Sequence, residues 1–340
     1  MLLSIGWGGK QMNKKILVTG GAGYIGSHTV QKLIDAGYEV VVFDNLSTGF
    51  KDSIPNQCTF IQGDTLNYTD LSKAMSNHKF EAVLHFAAKL IVPESVAEPI
   101  MYYENNVFGV INLIKAAKNH HIDKIVFSST AAVYGDSETL TPADENSRVS
   151  PLTPYGWSKL MSEQILADAE KAYGIKSVCL RYFNVAGAQV DGKNGQKTKQ
   201  ATHLFKVAAE AACGLRTNVD IYGDDYKTKD GTGIRDYIHV EDLANIHALA
   251  LKHLISGGPS EIFNCGYGVG YSVRQVIEAL KKVSGVNFKV NIKARRAGDP
   301  GLLVADASKV KKILQWKPLF ADLELIAKTT YEWEKKRALK

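Results

Sequence analysis

The chain of 340 residues carries 41 lysines and arginines against 35 aspartates and glutamates, a formal net charge of +6, with 45% hydrophobic and 22% charged residues. That length suits one large α/β domain, or a large domain with a smaller lobe built from its later loops, and no run approaches the roughly 18 apolar residues that would cross a bilayer. The basic residues are dispersed along the chain, which fits an anionic small substrate and argues against a nucleic-acid groove, where a basic stripe is expected.

Residues 1–11, MLLSIGWGGKQ, are apolar but lack a basic start and a small-residue cleavage site, and they read as an extension ahead of a start at Met12. Ile16, Leu17 and Val18 then form the short apolar run of a strand buried on both faces, ended by Thr19. Gly20, Gly21, Gly23 and Gly26 crowd the following turn. The spacing Gly20-x-x-Gly23-x-x-Gly26 removes Cβ atoms where the backbone must turn tightly, approach a ligand and let a helix pack on a sheet. The helix opening through Tyr24 and Ile25 points its first N–H groups and its positive dipole end over that turn, which suits a pyrophosphate. A helix from Ser27 to Ala36, stopped by Gly37, leads to a strand from Glu39 to Phe43. Asp44 follows, 18 residues after Gly26 and just before Asn45. A carboxylate there accepts hydrogen bonds from a ribose and repels a 2′-phosphate, so it selects NAD over NADP.

Strands Thr59–Gln62 and Ala82–Phe86 end in Gly63-Asp64 and Ala87-Ala88, small residues that leave room for a cofactor. Tyr102 to Ala117 has helical spacing and carries Asn105 and Asn106 near a strand end, as ligand contacts or as structural pins. The strand Lys124–Phe127 closes on Ser128, Ser129 and Thr130, three hydroxyls where an open parallel sheet places its crevice. Downstream, Pro154 opens a helix running to about Tyr173, with Tyr155 and Lys159 on one face. A phenol with a free pKa of about 10 is a poor base, but a neighbouring ammonium and a cationic nicotinamide favour the phenolate. Such a pair can take and return a hydroxyl proton.

A buried strand from Ser177 exits through Tyr182, Phe183 and Asn184 into a polar loop, Gln189 to Lys199, expected to be mobile. Helix Thr202–Cys213, strand Asp220–Tyr222 and the run GDDYKTKDGTGIRDYIHVEDL begin a less regular half. Arg235 is expected either to meet a phosphate or to be held by Asp236 as a structural ion pair. Arg295, Arg296 and Asp299 form a second polar cluster after the strand Phe288–Ile292, and two basic clusters in one lobe suggest a diphosphate clamp. Cys58, Cys179, Cys213 and Cys265 are scattered without paired spacing, the pattern of reduced thiols in a cytoplasmic protein. No His-Glu-x-x-His or Cys-x-x-Cys spacing occurs, and no metal site is expected.

From about Lys14 to Lys335 these motifs resemble the extended short-chain dehydrogenase/reductases, and among them the branch that interconverts UDP-galactose and UDP-glucose. TGGAGYIGSHT, FDNLSTG, FSSTAAVYG, PYGWSK, RYFNVAGA, GDDYKTKDGTGIRDYIHVEDLA and RRAGDP carry the likeness, and the long run ending near Leu243 is the most specific. The resemblance implies a Rossmann-type doubly wound parallel sheet over residues 12–185, with 235–265 returning to it, and a mainly UDP-sugar-binding lobe over 186–335. It implies Thr130, Tyr155 and Lys159 as catalytic residues. Gly20, Gly23, Tyr24, Ile25, Gly26, Asp44, Asn45, Asp64, Phe86, Ala87, Asn105 and Phe183 would surround NAD, with Tyr155 and Lys159. Asn184, His203, Leu204, Tyr222, Arg235, Arg296, Asp299 and Leu303 would hold the UDP-sugar, with Thr130. The implied reaction oxidises the sugar at C4, turns the 4-keto sugar over and reduces its other face. A homodimer joined through the helices containing Tyr102–Ala117 and Tyr155–Tyr173 is also implied.

Two departures stand out. KLIVPES puts Lys89 one position ahead of the family's lysine, with Leu90 at the matching site, and Leu303 falls where a bulky aromatic is frequent. Alternatives are a 4-epimerase acting on UDP-N-acetylhexosamines or another UDP-sugar, a nucleotide-sugar dehydratase, and an NAD-binding regulator. The dehydratase would need an Asp-Glu pair where Ala131 and Ala132 follow Thr130, and the regulator would have no need of Tyr155 and Lys159.

Overall fold

The computed structural model describes residues 14–135, 142–198, 201–296 and 299–339, so the extension 1–11 lies outside the described residues. The first half lays down β1 (Lys15–Thr19), α1 (Tyr24–Asp35), β2 (Glu39–Asp44), β3 (Thr59–Gln62), α2 (Tyr68–Ser76), β4 (Phe80–His85), α3 (Val92–Ala97), α4 (Pro99–Tyr103), α5 (Gly109–Asn119), β5 (Lys124–Ser128), α6 (Pro154–Tyr173) and β6 (Lys176–Tyr182). The second half adds β7 (Asn184–Ala186), α7 (Leu204–Ala212), β8 (Val219–Tyr222), β9 (Ile234–His239), α8 (Val240–Ile255), β10 (Glu261–Cys265), β11 (Gly270–Ser272), α9 (Val273–Ser284), β12 (Val290–Lys293), β13 (Leu302–Leu303), α10 (Ser308–Ile313) and α11 (Leu323–Ala338).

Seven strands form one parallel sheet in the order β10-β6-β5-β4-β1-β2-β3. Alternation along β1 shows why helices cover both faces. Ile16 and Val18 join a cluster with Val30 and Leu33 of α1 and Leu243 and Leu251 of α8, whereas Leu17 joins one with Leu71 of α2, Leu113 of α5 and Leu166 of α6. The strand order reverses at β1 and β4, and in such a doubly wound, Rossmann-type sheet the crevice outside those carboxyl ends is where ligands bind.

Helix α6 starts where Thr153 caps it, accepting from Gly156 N, with Pro154 in the first turn, and it stops at Gly174 with φ +73°. One predicted helix differs. Tyr102–Ala117 is interrupted by a π-turn, Glu104–Phe108, between α4 and α5. The one extra residue of such a turn offsets the apolar periodicity by a single position, too small a shift to read from the sequence. The π-turn carries Asn105 and Asn106, the latter bonded to Lys89 beyond β4 and to Ser158 of α6.

The smaller lobe is built around β9, which pairs antiparallel with β11 and parallel with β13 and β7, while β8 pairs with β12. The chain returns to the large sheet through α8 and the edge strand β10, and β9 stays in the small sheet. Helix α11 closes this lobe. Thr330 Oγ1 accepts from Gly187 N at 3.1 Å, Thr329 Oγ1 accepts from Ala188 N at 3.3 Å, and Trp333 Nε1 donates to the Gln196 carbonyl at 3.0 Å. The polar loop expected to be mobile is fastened by these bonds and by Asn194 Nδ2 to Ser27 Oγ at 2.9 Å, with Gly195 lying flat on the Trp333 ring. Among the described residues no helix is long and apolar enough to cross a membrane.

Candidate active site

The glycine turn is shaped by contact. Gly20 sits at φ +74°, and a Cβ there would lie 2.5 Å from Ala87 N; a Cβ on Gly26 would lie 2.3 Å from the Gly20 carbonyl oxygen. The exit of β4 at Phe86 and Ala87 and the first turn of α1 therefore each press against the Gly20 turn. Gly23 is less crowded, 3.3 Å from the same oxygen, and as the N-cap of α1 it offers no side chain to the helix amides. The first-turn N–H groups around Tyr24 and Ile25 accordingly face the turn without an intrahelical partner. The Tyr24 ring points elsewhere, its hydroxyl donating to the Gly187 carbonyl at 2.6 Å.

At the end of β2, Asp44 is buried and held by two backbone donors, Ala22 N to Oδ2 at 3.0 Å and Leu46 N to Oδ1 at 2.8 Å. Burial pushes this carboxyl up and the two amides pull it down. Beside it, Asn45 Nδ2 donates to Asp64 Oδ2 at 2.9 Å, so the ends of β2 and β3 form one polar rim. A bare glycine floor, free helix amides and a fixed acid at the next strand end fit a dinucleotide.

Thr130, Tyr155 and Lys159 converge above β5. Thr130 caps a short turn, Ala131–Val133, accepting from Ala132 N at 3.1 Å, and its hydroxyl lies by the Tyr155 phenol and opposes the rise in that phenol's pKa. Lys159 Nζ donates to the Ser128 carbonyl at 2.8 Å and lies 4.9 Å from the centre of the Phe127 ring. All three side chains are buried. Burial pushes the Tyr155 phenol up, with the Thr130 hydrogen bond opposing it, and brings the Lys159 ammonium down to about 7. The expectation that a neighbouring ammonium and a cationic nicotinamide favour the phenolate has to overcome this burial, which is the larger effect within the chain.

The residues expected around a UDP-sugar fall in the small lobe in three groups. Asn184, His203 and Leu204 line one cavity. The Arg296 guanidinium lies 3.6 Å from the centre of the Tyr222 ring. Arg235 is ion-paired with Asp299, and Leu303 is its register partner on β13. Asp236 does not hold Arg235. It is fully buried and accepts instead from Tyr267 N at 2.9 Å and Gly268 N at 2.8 Å, because neighbouring residues on a strand face opposite ways. Leu303 packs against the cluster of Ala131, Tyr134 and Phe183, which joins this lobe to the catalytic turn.

Of the two asparagines in the π-turn, Asn106 is the pin. It accepts from Lys89 N at 2.8 Å, donates to the Lys89 carbonyl at 3.1 Å and to Ser158 Oγ at 3.0 Å, while Asn105 donates to Asn106 Oδ1 at 2.9 Å. The displaced lysine of KLIVPES is thus fixed by its backbone. Sequence reasoning missed the buried pair Glu163 and Arg181, joined at 2.6 Å, and His247, which accepts from Ser128 Oγ at 3.2 Å. An arginine inside the apolar strand CLRYF, and a glutamate on the Tyr155–Lys159 helix face, were the available signals.

A doubly wound sheet with a glycine-floored crevice and a Tyr–Lys pair beside a strand-end hydroxyl defines a dinucleotide-dependent enzyme of the short-chain dehydrogenase/reductase type. The chain belongs to the NAD dependent epimerase/dehydratase family, whose sequence profile matches residues 16–266. It is 49% identical to a UDP-glucose 4-epimerase of Azospirillum brasilense over 321 residues, 94% of this chain and 92% of that one. Among solved structures, UDP-glucose 4-epimerase from Brucella ovis in complex with NAD superposes with a TM-score of 0.91 at 43% identity, covering 94% of this chain and 98% of its own. The UDP-Glc/GlcNAc 4-epimerase of Campylobacter jejuni superposes at 0.84 with 48% identity, covering 95% and 100%.

Proposed function

We propose that the chain interconverts UDP-galactose and UDP-glucose with NAD as a retained cofactor. The observation that carries this reading is the convergence of Thr130, Tyr155 and Lys159 over a glycine-floored crevice, next to a lobe bearing two arginine sites. NAD, held over the glycine turn and Asp44, would supply a reversible hydride acceptor for C4 of the sugar and a positive charge. Tyr155 takes the 4-hydroxyl proton and later gives it back. Lys159, held by the Ser128 carbonyl, supplies the second positive charge that lets a buried phenol ionise. Thr130 aligns the reacting oxygen. Asn184, His203, Leu204 and Tyr222 hold the uridine, and Arg235 and Arg296 the diphosphate. With binding concentrated at the nucleotide, the sugar can turn over. Incubation with UDP-galactose should yield UDP-glucose without added oxidant or reductant; no conversion, with UDP-galactose recovered intact, would overturn the reading.

Substrate width is set at Leu303. It is half-buried against Ala131 and Phe183, smaller than an aromatic residue, and the similar Campylobacter jejuni protein is named for both UDP-Glc and UDP-GlcNAc. UDP-galactose is expected to be preferred, with UDP-N-acetylgalactosamine turned over roughly 10- to 200-fold less efficiently, the range for a misfit of one or two methylenes. Leu303→Tyr should abolish the acetamido activity and largely spare UDP-galactose. If both rates fall together, another residue closes the pocket.

The chain works as a homodimer in a reducing cytoplasm, where its four free cysteines are stable. Val96, Ile100, Phe108, Trp157 and Met161 support the dimer, being exposed apolar residues on or beside α3, α4 and α6, which pack together. Light scattering should give twice the chain mass, and Ile100→Glu with Met161→Glu should halve it. A monomeric wild-type chain refutes this arrangement.

A further inference from the structure

Tyr155, Lys159 and Glu163 recur at four-residue intervals on α6, and all three are buried. Glu163 is held on every side. Arg181 Nε donates to both carboxylate oxygens at 3.0 and 3.2 Å, Arg181 Nη2 donates to Oε2 at 2.6 Å, and the Ser129 hydroxyl donates to Oε1. Arg181 is fixed in turn by Tyr134 Oη at 3.1 Å, and Tyr134 donates to Asn264 Oδ1 at 2.7 Å. Ser129 stands between Ser128, whose carbonyl holds Lys159, and Thr130. The carboxylate therefore ties the exit of β5 to the helix that carries the proton-transfer pair.

We propose that Glu163 is a positioning residue for the reaction, acting through Lys159 as the fixed countercharge that keeps the buried ammonium charged and directed at the Ser128 carbonyl beneath Tyr155. This rests on the function proposed above. The groups facing Lys159 are Glu163 on α6, Cys179 on β6 and His85 on β4, with the Phe127 ring and Ser128 carbonyl on β5. Glu163 is the carboxylate in this set. A buried ion pair confers little net stability over an apolar pair of similar volume. The Glu163–Arg181 pair, clamped as it is, instead sets a negative charge one helical turn from the lysine. Burial opposes the ammonium more than any other influence, and the attraction of Glu163 is the largest effect raising it.

The test is Glu163→Gln, which keeps the shape and loses the charge, read in two ways. In the profile of kcat on UDP-galactose against pH, the optimum is expected to move to lower pH by about one unit, because a less stable Lys159 ammonium sheds its proton sooner. Glu163→Asp, which keeps the charge, is expected to restore the wild-type position even if its rate is lower. The second reading is thermal unfolding from pH 6 to pH 9. In the folded chain the Lys159 ammonium is depressed to about 7, against roughly 10.4 unfolded, so the cost of losing Glu163 is full at low pH, where both chains hold the ammonium charged, and fades as pH rises through about 7 and Lys159 is neutralised. The Tm deficit of the variant should therefore shrink as pH rises. A purely structural pair with Arg181, which stays charged throughout, gives a constant deficit.

If Glu163→Gln does not fold, Glu163→Gln with Arg181→Met leaves no unpaired charge and carries both readings with the same expected directions. A wild-type profile position together with a constant Tm deficit overturns the proposal. A wild-type chain that fails to turn over UDP-galactose defeats the proposed function instead, and the unfolding reading still decides the coupling of Glu163 to Lys159.

Discussion

Tyr155→Phe is expected to reduce UDP-galactose turnover by at least ~10²-fold, the scale of a lost general acid–base group, while bound NAD and the melting temperature stay near wild type. The ring itself is positioned by packing, buried and edge-on to Tyr102 at a centroid distance of 6.5 Å, and phenylalanine reproduces that contact. Only the hydroxyl is removed. Thr130 loses a partner but keeps its bond from Ala132 N, so the loss falls on proton transfer. A progress curve with UDP-galactose, set beside the NAD released on denaturation, checks both halves. Near-normal turnover would place the base elsewhere.

Gly26→Ala should yield a chain that retains little or no nucleotide and is less stable by at least ~1–3 kcal/mol, the range for overpacking a tight site. Its Cβ would meet the Gly20 carbonyl oxygen at 2.3 Å and the Gly21 Cα at 3.0 Å, both backbone atoms of the turn that has to cradle the pyrophosphate. Relief by a rotamer change is impossible for alanine, so the turn itself must shift. The nucleotide released from the wild-type chain should be NAD and not NADP, since Asp44 is locked by Ala22 and Leu46 where a 2′-phosphate would lie. Chromatography of the heat-released nucleotide measures both. A full complement bound to Gly26→Ala, or NADP as the main species from wild type, refutes the respective expectation.

Local features were legible in the sequence because their physics is local. The apolar runs around β1, β2 and β5, the glycine spacing, the Pro154 helix start and the i, i+4 placement of Tyr155 and Lys159 are each decided within a few residues. What was not legible depends on contacts made across the chain. Arg235 finds Asp299 and not its neighbour Asp236 because β13 comes to lie beside β9. The loop after Asn184 is held because α11, far away in sequence, supplies Trp333 and two threonines. The π-turn at Glu104–Phe108 offsets the apolar stripe by one residue only, which periodicity does not resolve. Glu163 and Arg181 are conspicuous as charges in apolar surroundings, but their pairing needs both α6 and β6 in place.

The closure of the small lobe by α11 bears on how the protein is made. Gly187 N, Ala188 N and the Gln196 carbonyl are translated well before their partners Thr330, Thr329 and Trp333, which follow 143, 141 and 137 residues later. Lys206 is likewise buried against Glu334 at 2.6 Å, and among the described residues Glu210 is its one carboxylate partner until that helix arrives. On the ribosome most of the large sheet can therefore compact before α11 emerges, whereas the wall beside Asn184 and His203 stays open to water, chaperones and proteases until that helix is made.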